Sequence, residues 1–157
     1  METHGTKALR FAFLTLRDRG ESEDVVQEAF LRLWRHSVRR GSESLSKALL
    51  FHTVTNLCRD RLRHRRRHPE DSSDLMELVP ATTTDGNAVE ELAVMEAVMQ
   101  LNVSERQCIL LFYYLGHSLK ETGAALGLNE QTVKTRLYRA RQHLRPLLAP
   151  IWKEESL

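Results

Sequence analysis

Residues 118–145, SLKETGAALGLNEQTVKTRLYRARQHLR, constrain this chain more than any other stretch. Ser118 with Glu121 three residues on is a capping box, which opens a helix carrying Leu119 and Leu126. Gly127 ends that helix where a bend needs a permissive backbone, and Asn129 is a good N-cap for the next. In the second helix Val133, Leu137, Ala140 and Leu144 recur at helical spacing and make one apolar stripe. Opposite it lie Gln131, Thr135, Tyr138, Arg139 and Gln142, with Lys134 on the flank. A rod of that width fits the DNA major groove, where such side chains read base edges and hold phosphates. The same pattern also describes an ordinary amphipathic helix with a solvated basic face, and spacing alone leaves both readings open.

The distribution of charge bears on that choice. The net charge of +2 conceals a segregation. Residues 1–67 hold 15 Lys and Arg against 8 acids, residues 68–105 hold 9 acids and no Lys or Arg, and residues 106–157 hold 8 against 4. Two basic ends around an acidic middle fit a polyanion binder whose central segment stays off the phosphates. That middle begins HPEDSSDLMELVPATTTDGN, which is linker composition, so a domain break is expected at 68–88. Helical periodicity dominates on either side, and the fold expected is all-α: two small helical domains, 1–67 and 89–149, joined by an acidic flexible linker. No apolar run is long enough to span a membrane, and METHGTKALR lacks a signal-peptide core, so a cytoplasmic protein is expected. Cys58 and Cys108 stand alone within helical patterns and read as small buried hydrophobes.

Taken in order, residues 7–18 predict a helix with Leu9, Phe13 and Leu16 on its buried side. Ser22 is the expected cap of a second helix running to Ser37, with Val26, Ala29, Phe30 and Leu33 buried and Trp34 at the edge. Its opposite arc carries Asp24, Glu28, Leu31 and Arg35, with Gln27 beside it. An apolar Leu31 among carboxylates and an amide fits a protein-docking face, and equally a normal surface with one stray leucine. Residues 38–46 read as a loop. A third helix over 47–66 buries Leu50, Phe51, Val54, Leu57, Cys58 and Leu62 and shows His52, Asn56, Arg59 and Arg63 on a polar face. Six arginines among residues 59–67 read as a phosphate-binding surface. Beyond the linker, Asn87 with Glu90 is expected to cap a helix over 88–101, and Ser104 with Gln107 another through Tyr114.

Chemistry of other kinds finds no footing. His64 and His68 have a metal-ligating spacing, but arginines surround them and no Cys or carboxylate completes a set. There is no Gly-rich phosphate loop and no triad or paired-carboxylate arrangement, so no catalysis, cofactor or resident metal is expected.

ESEDVVQEAFLRLWR at 21–35 and NLCRDRLRHRRR at 56–67 resemble the second conserved region of bacterial sigma factors of the extracytoplasmic-function (ECF) group. LNVSERQCILLFYYLGHSLKETGAALGLNEQTVKTRLYRARQHL at 101–144 resembles the fourth region over its whole length. The resemblance implies an alternative sigma factor that binds core RNA polymerase and directs promoter-specific initiation. Asp24, Gln27, Glu28 and Leu31 would dock on the β′ clamp helices, and the β subunit would be a second polymerase contact. Phe51, His52, Asn56, Arg59 and Arg63 would read and open the −10 element, with Asn56 on the unpaired non-template strand. Gln131, Lys134, Thr135, Tyr138 and Arg139 would contact the −35 element. The acidic linker would thread toward the polymerase active site, and an anti-sigma factor is an expected partner, with no small-molecule substrate.

Three departures from the family pattern carry expectations. Fewer residues than usual precede the 21–35 match, which implies either a later start or a trimmed first domain. Leu49 stands where many relatives have Trp, so melting would rest on Phe51, His52 and Asn56. Thr122-Gly123 replaces the common Ile-Ala, and Gly123 predicts a softened helix, costing up to about 1 kcal/mol relative to Ala. Two rival functions are a stand-alone helix-turn-helix regulator and a nucleic-acid-processing enzyme. The first leaves the 21–35 match unexplained, and the second lacks an active-site constellation.

Overall fold

The computed structural model describes residues 2–68 and 88–155, with side chains for 4–43, 45–68 and 89–149. The described residues are helical and contain no strand. The first domain holds α1 (Glu2–Leu16), α2 (Arg19–Arg40), a 3-10 turn at Ser42–Ser44, and α3 (Lys47–Arg67). The second holds α4 (Ala88–Gln100), α5 (Val103–Ile109) running into a π turn at Leu110–Tyr114, α6 (Leu119–Leu126) and α7 (Glu130–Glu155). The acidic linker and the Asn87 cap lie outside the described residues.

In the first domain three helices pack mutually around Phe11, Leu14, Val25, Ala29, Leu50, Phe51, Val54 and Cys58. The expected face of α1 is corrected: Ala8, Phe11, Ala12 and Thr15 are inside, while Leu9 is exposed and Phe13 half-buried. Asp18, not Ser22, caps α2, its carboxylate accepting from the Glu21 amide at 3.0 Å. Ser22 is buried one turn in and donates to the Asp18 carbonyl. Helix α2 continues to Arg40, into the segment expected as a loop, because nothing in HSVRR breaks a helix before Gly41. Ser46 caps α3 by accepting from the Leu49 amide at 3.0 Å.

The second domain matches its pattern where the capping chemistry is strongest. The Ser118–Glu121 capping box is present in both directions. Gly127 ends α6 in the left-handed region at φ 71°, and Asn129 accepts from the Thr132 amide at 2.8 Å. Val133, Leu137, Ala140 and Leu144 are buried together, and Leu148 extends the stripe. The expected Ser104–Gln107 box does not form. Asn102 caps α5 instead, and Gln107 is fully buried among apolar neighbours. Both cysteines are free and buried; burial pushes the Cys58 thiol up to about 12 and the Cys108 thiol to about 11.

The two domains touch, which no periodicity reveals. Helix α3 lies along α6. Lys47 Nζ pairs with Glu121 at 2.8 Å, His52 Nδ1–H donates to the Ala125 carbonyl at 3.1 Å, and the Phe51 ring meets His117 edge-on at 4.7 Å. At the other end Arg106 donates to the Thr15 carbonyl at 3.1 Å and to the carbonyls of Met99 and Leu101, tying α1 to the start of α5.

Gly123 is a packing requirement and not merely a soft spot. A Cβ there would lie 2.5 Å from the Leu128 backbone carbonyl oxygen, because the chain folds back over α6 and Leu128 N–H bonds to the Gly123 carbonyl at 2.8 Å. Backbone cannot yield as a flexible side chain can. Gly123→Ala is therefore expected to lower stability by about 1–3 kcal/mol despite alanine's better helix propensity. Urea denaturation of the two chains checks the sign.

Candidate nucleic-acid interface

Helix α7 is held to the core by one stripe, and this fixes what its other side shows. Gln131, Lys134, Thr135, Tyr138 and Arg139 are all exposed along one rod, and Tyr138 is 58% exposed. Thr135 Oγ1 donates back to the Gln131 carbonyl at 3.1 Å. Arg141, off this face, is braced by the Tyr113 hydroxyl at 2.7 Å. A row of amide, hydroxyl and cationic groups on a rigid, protruding helix has the form and chemistry of a major-groove reader.

The α3 residues are less free. Asn56 Nδ2 donates to His52 Nε2 at 3.1 Å, and His52 donates its one ring N–H, at Nδ1, to the Ala125 carbonyl in α6. The ring is thereby fixed as the Nδ1–H tautomer, and Asn56, though exposed, is coupled through it to the second domain. Phe51 is 0% exposed, as its place on the apolar face of α3 implies, and lies between Phe11 and His117. Arg59 is partly buried, and burial followed by the nearby Arg136 and Arg63 lowers its pKa below the usual guanidinium value. Arg63 is exposed and pairs with Asp60 at 3.3 Å.

The arginine cluster divides in two. Arg66 and Arg67 are exposed at the end of α3. Arg65 turns inward, donating to the Leu16 carbonyl at 2.8 Å and pairing closely with Glu21. It is a clamp between α3 and the α1–α2 corner, unavailable to phosphate. Only the burial of its neighbours distinguishes it, so composition could not.

On α2, Asp24, Gln27 and Leu31 are exposed, and Glu28 is half-buried and paired with Arg32 at 2.9 Å. The apolar surface is larger than the sequence implied. Val25 replaces Phe30 in the buried stripe, so Phe30 is 44% exposed, and Trp34 and Val38 stand out at 64% and 67%. With Leu31 they form a continuous apolar strip, and exposed strips of this kind mark protein contacts. Helical spacing of Phe30, Trp34 and Val38 was the available signal; assigning Phe30 to the core hid it.

Among the described residues no group of three or more His, Cys, Asp or Glu is placed to hold a metal. His64 and His68 stack on each other at 4.5 Å. No described helix is long and apolar enough to cross a membrane.

Comparison with known proteins agrees with this layout. The sigma-70 region 2 family matches residues 1–68, and the sigma-70 region 4 family matches residues 91–144. The ECF RNA polymerase sigma factor SigM of Mycobacterium tuberculosis is 32% identical over 92% of this chain and 73% of its own length. SigL of the same species is 33% identical over 92% of this chain and 84% of its own. Among solved structures, the sigma factor RpoE in complex with the anti-sigma factor NepR from Bartonella quintana superposes with a TM-score of 0.77 at 25% identity, over 94% of this chain and 92% of that one. CnrH in complex with the cytosolic domain of CnrY gives 0.68 at 27% identity, over 95% and 84%.

The division of the arginines has a measurable consequence. Arg65→Ala leaves Glu21 and the Leu16 carbonyl short of a donor in a partly buried corner, and is expected to cost about 1–3 kcal/mol of stability. Arg66→Ala is expected to stay within about 0.5 kcal/mol of wild type. It should instead reduce the salt dependence of DNA binding by about one unit of slope. Paired urea titrations and salt-dependent binding isotherms distinguish the two roles.

Proposed function

The chain belongs to the ECF group of the sigma-70 family, and on that premise we propose how its two domains divide the work of promoter recognition. It is an alternative sigma factor, not an enzyme: it binds core RNA polymerase and directs promoter-specific initiation. Its partners are polymerase, promoter DNA and an anti-sigma factor, and a cytoplasmic location follows from the polymerase it serves.

Residues 1–67 are assigned to polymerase docking and to reading and opening the −10 element, and 89–149 to the −35 element, with 68–88 as the connection between them. The observation that carries the assignment is the α7 face, where Gln131, Lys134, Thr135, Tyr138 and Arg139 project together from a helix seated by its opposite stripe. Docking on the β′ clamp helices is assigned to Asp24, Gln27, Glu28 and Leu31, and the exposed Phe30, Trp34 and Val38 enlarge that surface. The β subunit would take the second polymerase contact. Asn56, His52, Arg59 and Arg63 are assigned to the −10 side.

The mechanism is physical, not chemical. Polymerase supplies catalysis, and the sigma factor adds base contacts worth on the order of 1–3 kcal/mol each in discrimination. Opening duplex costs a few kcal/mol for each unstacked base, which capture of displaced bases by the α3 face offsets.

Reconstituted run-off transcription with core polymerase and a promoter library tests the reading. Arg139→Ala is expected to lose roughly 5- to 150-fold in −35-dependent transcription, the equivalent of one good base contact. Leu31→Asp is expected to abolish co-elution with core polymerase while leaving the fold intact. A wild-type chain that does not co-elute with core polymerase would defeat the assignment.

A further inference from the structure

A helix lying in a groove has two flanks as well as a reading face. With its side chains a helix is about 10–12 Å across, and the major groove is about 12 Å wide. Side chains at the edges of the reading face therefore meet the walls of the groove, and those walls are phosphates. On a wheel of about 3.6 residues per turn, Arg141 falls beside Lys134, between the polar face and the buried Leu137. The opposite flank holds Arg136, which is half-buried. Arg141 is exposed, so its flank is the open one.

The group that meets Arg141 comes from a different element. The π turn at Leu110–Tyr114 closes with the Leu115 N–H on the Leu110 carbonyl at 2.9 Å, one residue wider than an α-helical turn. It buries Leu110 and Leu111 and sets Tyr113 outward, 55% exposed, with the Phe112 ring perpendicular to it at 5.0 Å. There the Tyr113 hydroxyl accepts from Arg141 Nη1 at 2.7 Å.

This pair is rich in donors and lacks an acid. Arg32, Arg63 and Arg65 each pair with a carboxylate, whereas Arg141 pairs with none among the described residues, and its one hydrogen-bond partner is the neutral Tyr113 hydroxyl. A guanidinium accepts nothing, so every N–H that Arg141 does not give Tyr113 is open to an anion. A phenol that accepts from arginine keeps its own hydrogen, which it can donate to the same anion. The contact also restrains a long side chain that would otherwise rotate freely, so less freedom is lost when the anion arrives.

We propose that Tyr113 and Arg141 form a two-donor seat for one DNA backbone phosphate at the edge of the major groove that α7 enters. This rests on the assignment of α7 to the −35 element. Tyr113 adds its own O–H and holds Arg141 in place, so the π turn ahead of the helix pair joins the DNA surface. The seat is indifferent to sequence. It sets the register and depth of α7, while Gln131, Lys134, Thr135, Tyr138 and Arg139 face the bases.

The test uses the full chain in holoenzyme with core polymerase, on a promoter selected by run-off transcription. Binding is measured from 50 to 200 mM salt, first on unmodified duplex. It is then measured on duplexes in which one phosphate at a time around the −35 element is replaced by a neutral methylphosphonate. Losing one phosphate contact lowers the salt slope by about 0.9, which makes the fall in affinity over that range about 3.5-fold smaller. Arg141→Gln is expected to show that change. Tyr113→Phe, which removes one oxygen, is expected to weaken binding roughly 2- to 10-fold. A single methylphosphonate that weakens the wild type should have no further effect on either variant, and it should be the same one for both. Urea midpoints should stay at the wild-type value, because both side chains are exposed. A brace that only joins the π turn to α7 would shift those midpoints and leave the methylphosphonate pattern as in the wild type, and that result overturns the seat. A wild-type pattern in Tyr113→Phe alone overturns the place of Tyr113 in it. Arg139→Ala is run beside them. If it loses −35-dependent transcription while Arg141→Gln changes nothing, the seat alone is wrong. If neither variant matters, or no holoenzyme forms, the assignment of α7 fails and the seat falls with it.

Discussion

Helix α3 gives nearly its whole circumference to packing. One side, with Leu50, Val54, Leu57 and Cys58, completes the first domain's core, and the next, with Lys47, Phe51 and His52, meets α6 and the start of the second domain. What remains outward is a narrow polar strip through Asn56 and Arg63. The α3–α6 contact therefore fixes how much of α3 is left to meet anything else.

The contrast with α7 follows from the same bookkeeping of faces. A helix anchored by one stripe leaves more than half its surface to solvent, and α7 has only that stripe. Gln131, Lys134, Thr135, Tyr138 and Arg139 are therefore presented without rearrangement. The polar face of α7 is thus open, whereas part of the α3 face is covered by the second domain.

These differences also explain what could be read from residues alone. The α6–α7 pair was legible because each signal is local: a capping box three residues long, a glycine at a left-handed turn, an asparagine cap and a stripe of period 3.6. The face of α1 was not, because RFAFLTL is apolar on both sides of any wheel, and only packing selects Phe11 over Phe13. Asp18 and Ser22 are both good caps, as are Asn102 and Ser104, and the choice depends on where the preceding chain arrives. Gly123 showed as a weak helix former, since its reason is a carbonyl five residues later. The domain junction was illegible in principle: His52–Ala125 joins residues 73 apart, and Arg106–Thr15 joins residues 91 apart. Periodicity reports that a face is buried, never against what.

Charge adds two opposed contributions to the junction between the domains. At one end of the α3–α6 contact opposite charges meet, Lys47 on Glu121, partly exposed and therefore weak. Further along α3 like charges meet, with Arg59 partly buried near Arg136 of α7 and Arg63 of α3 itself. The first favours closing and the second opposes it, and neither is large in water. Phosphate bound near Arg59 and Arg136 would neutralise the repulsive end, whereas Arg63, Arg66 and Arg67 are exposed and can meet phosphate with the domains together. Because the opposing terms are both modest, charge alone does not fix how α3 meets the second domain, and the Phe51–His117 and His52–Ala125 contacts carry that role.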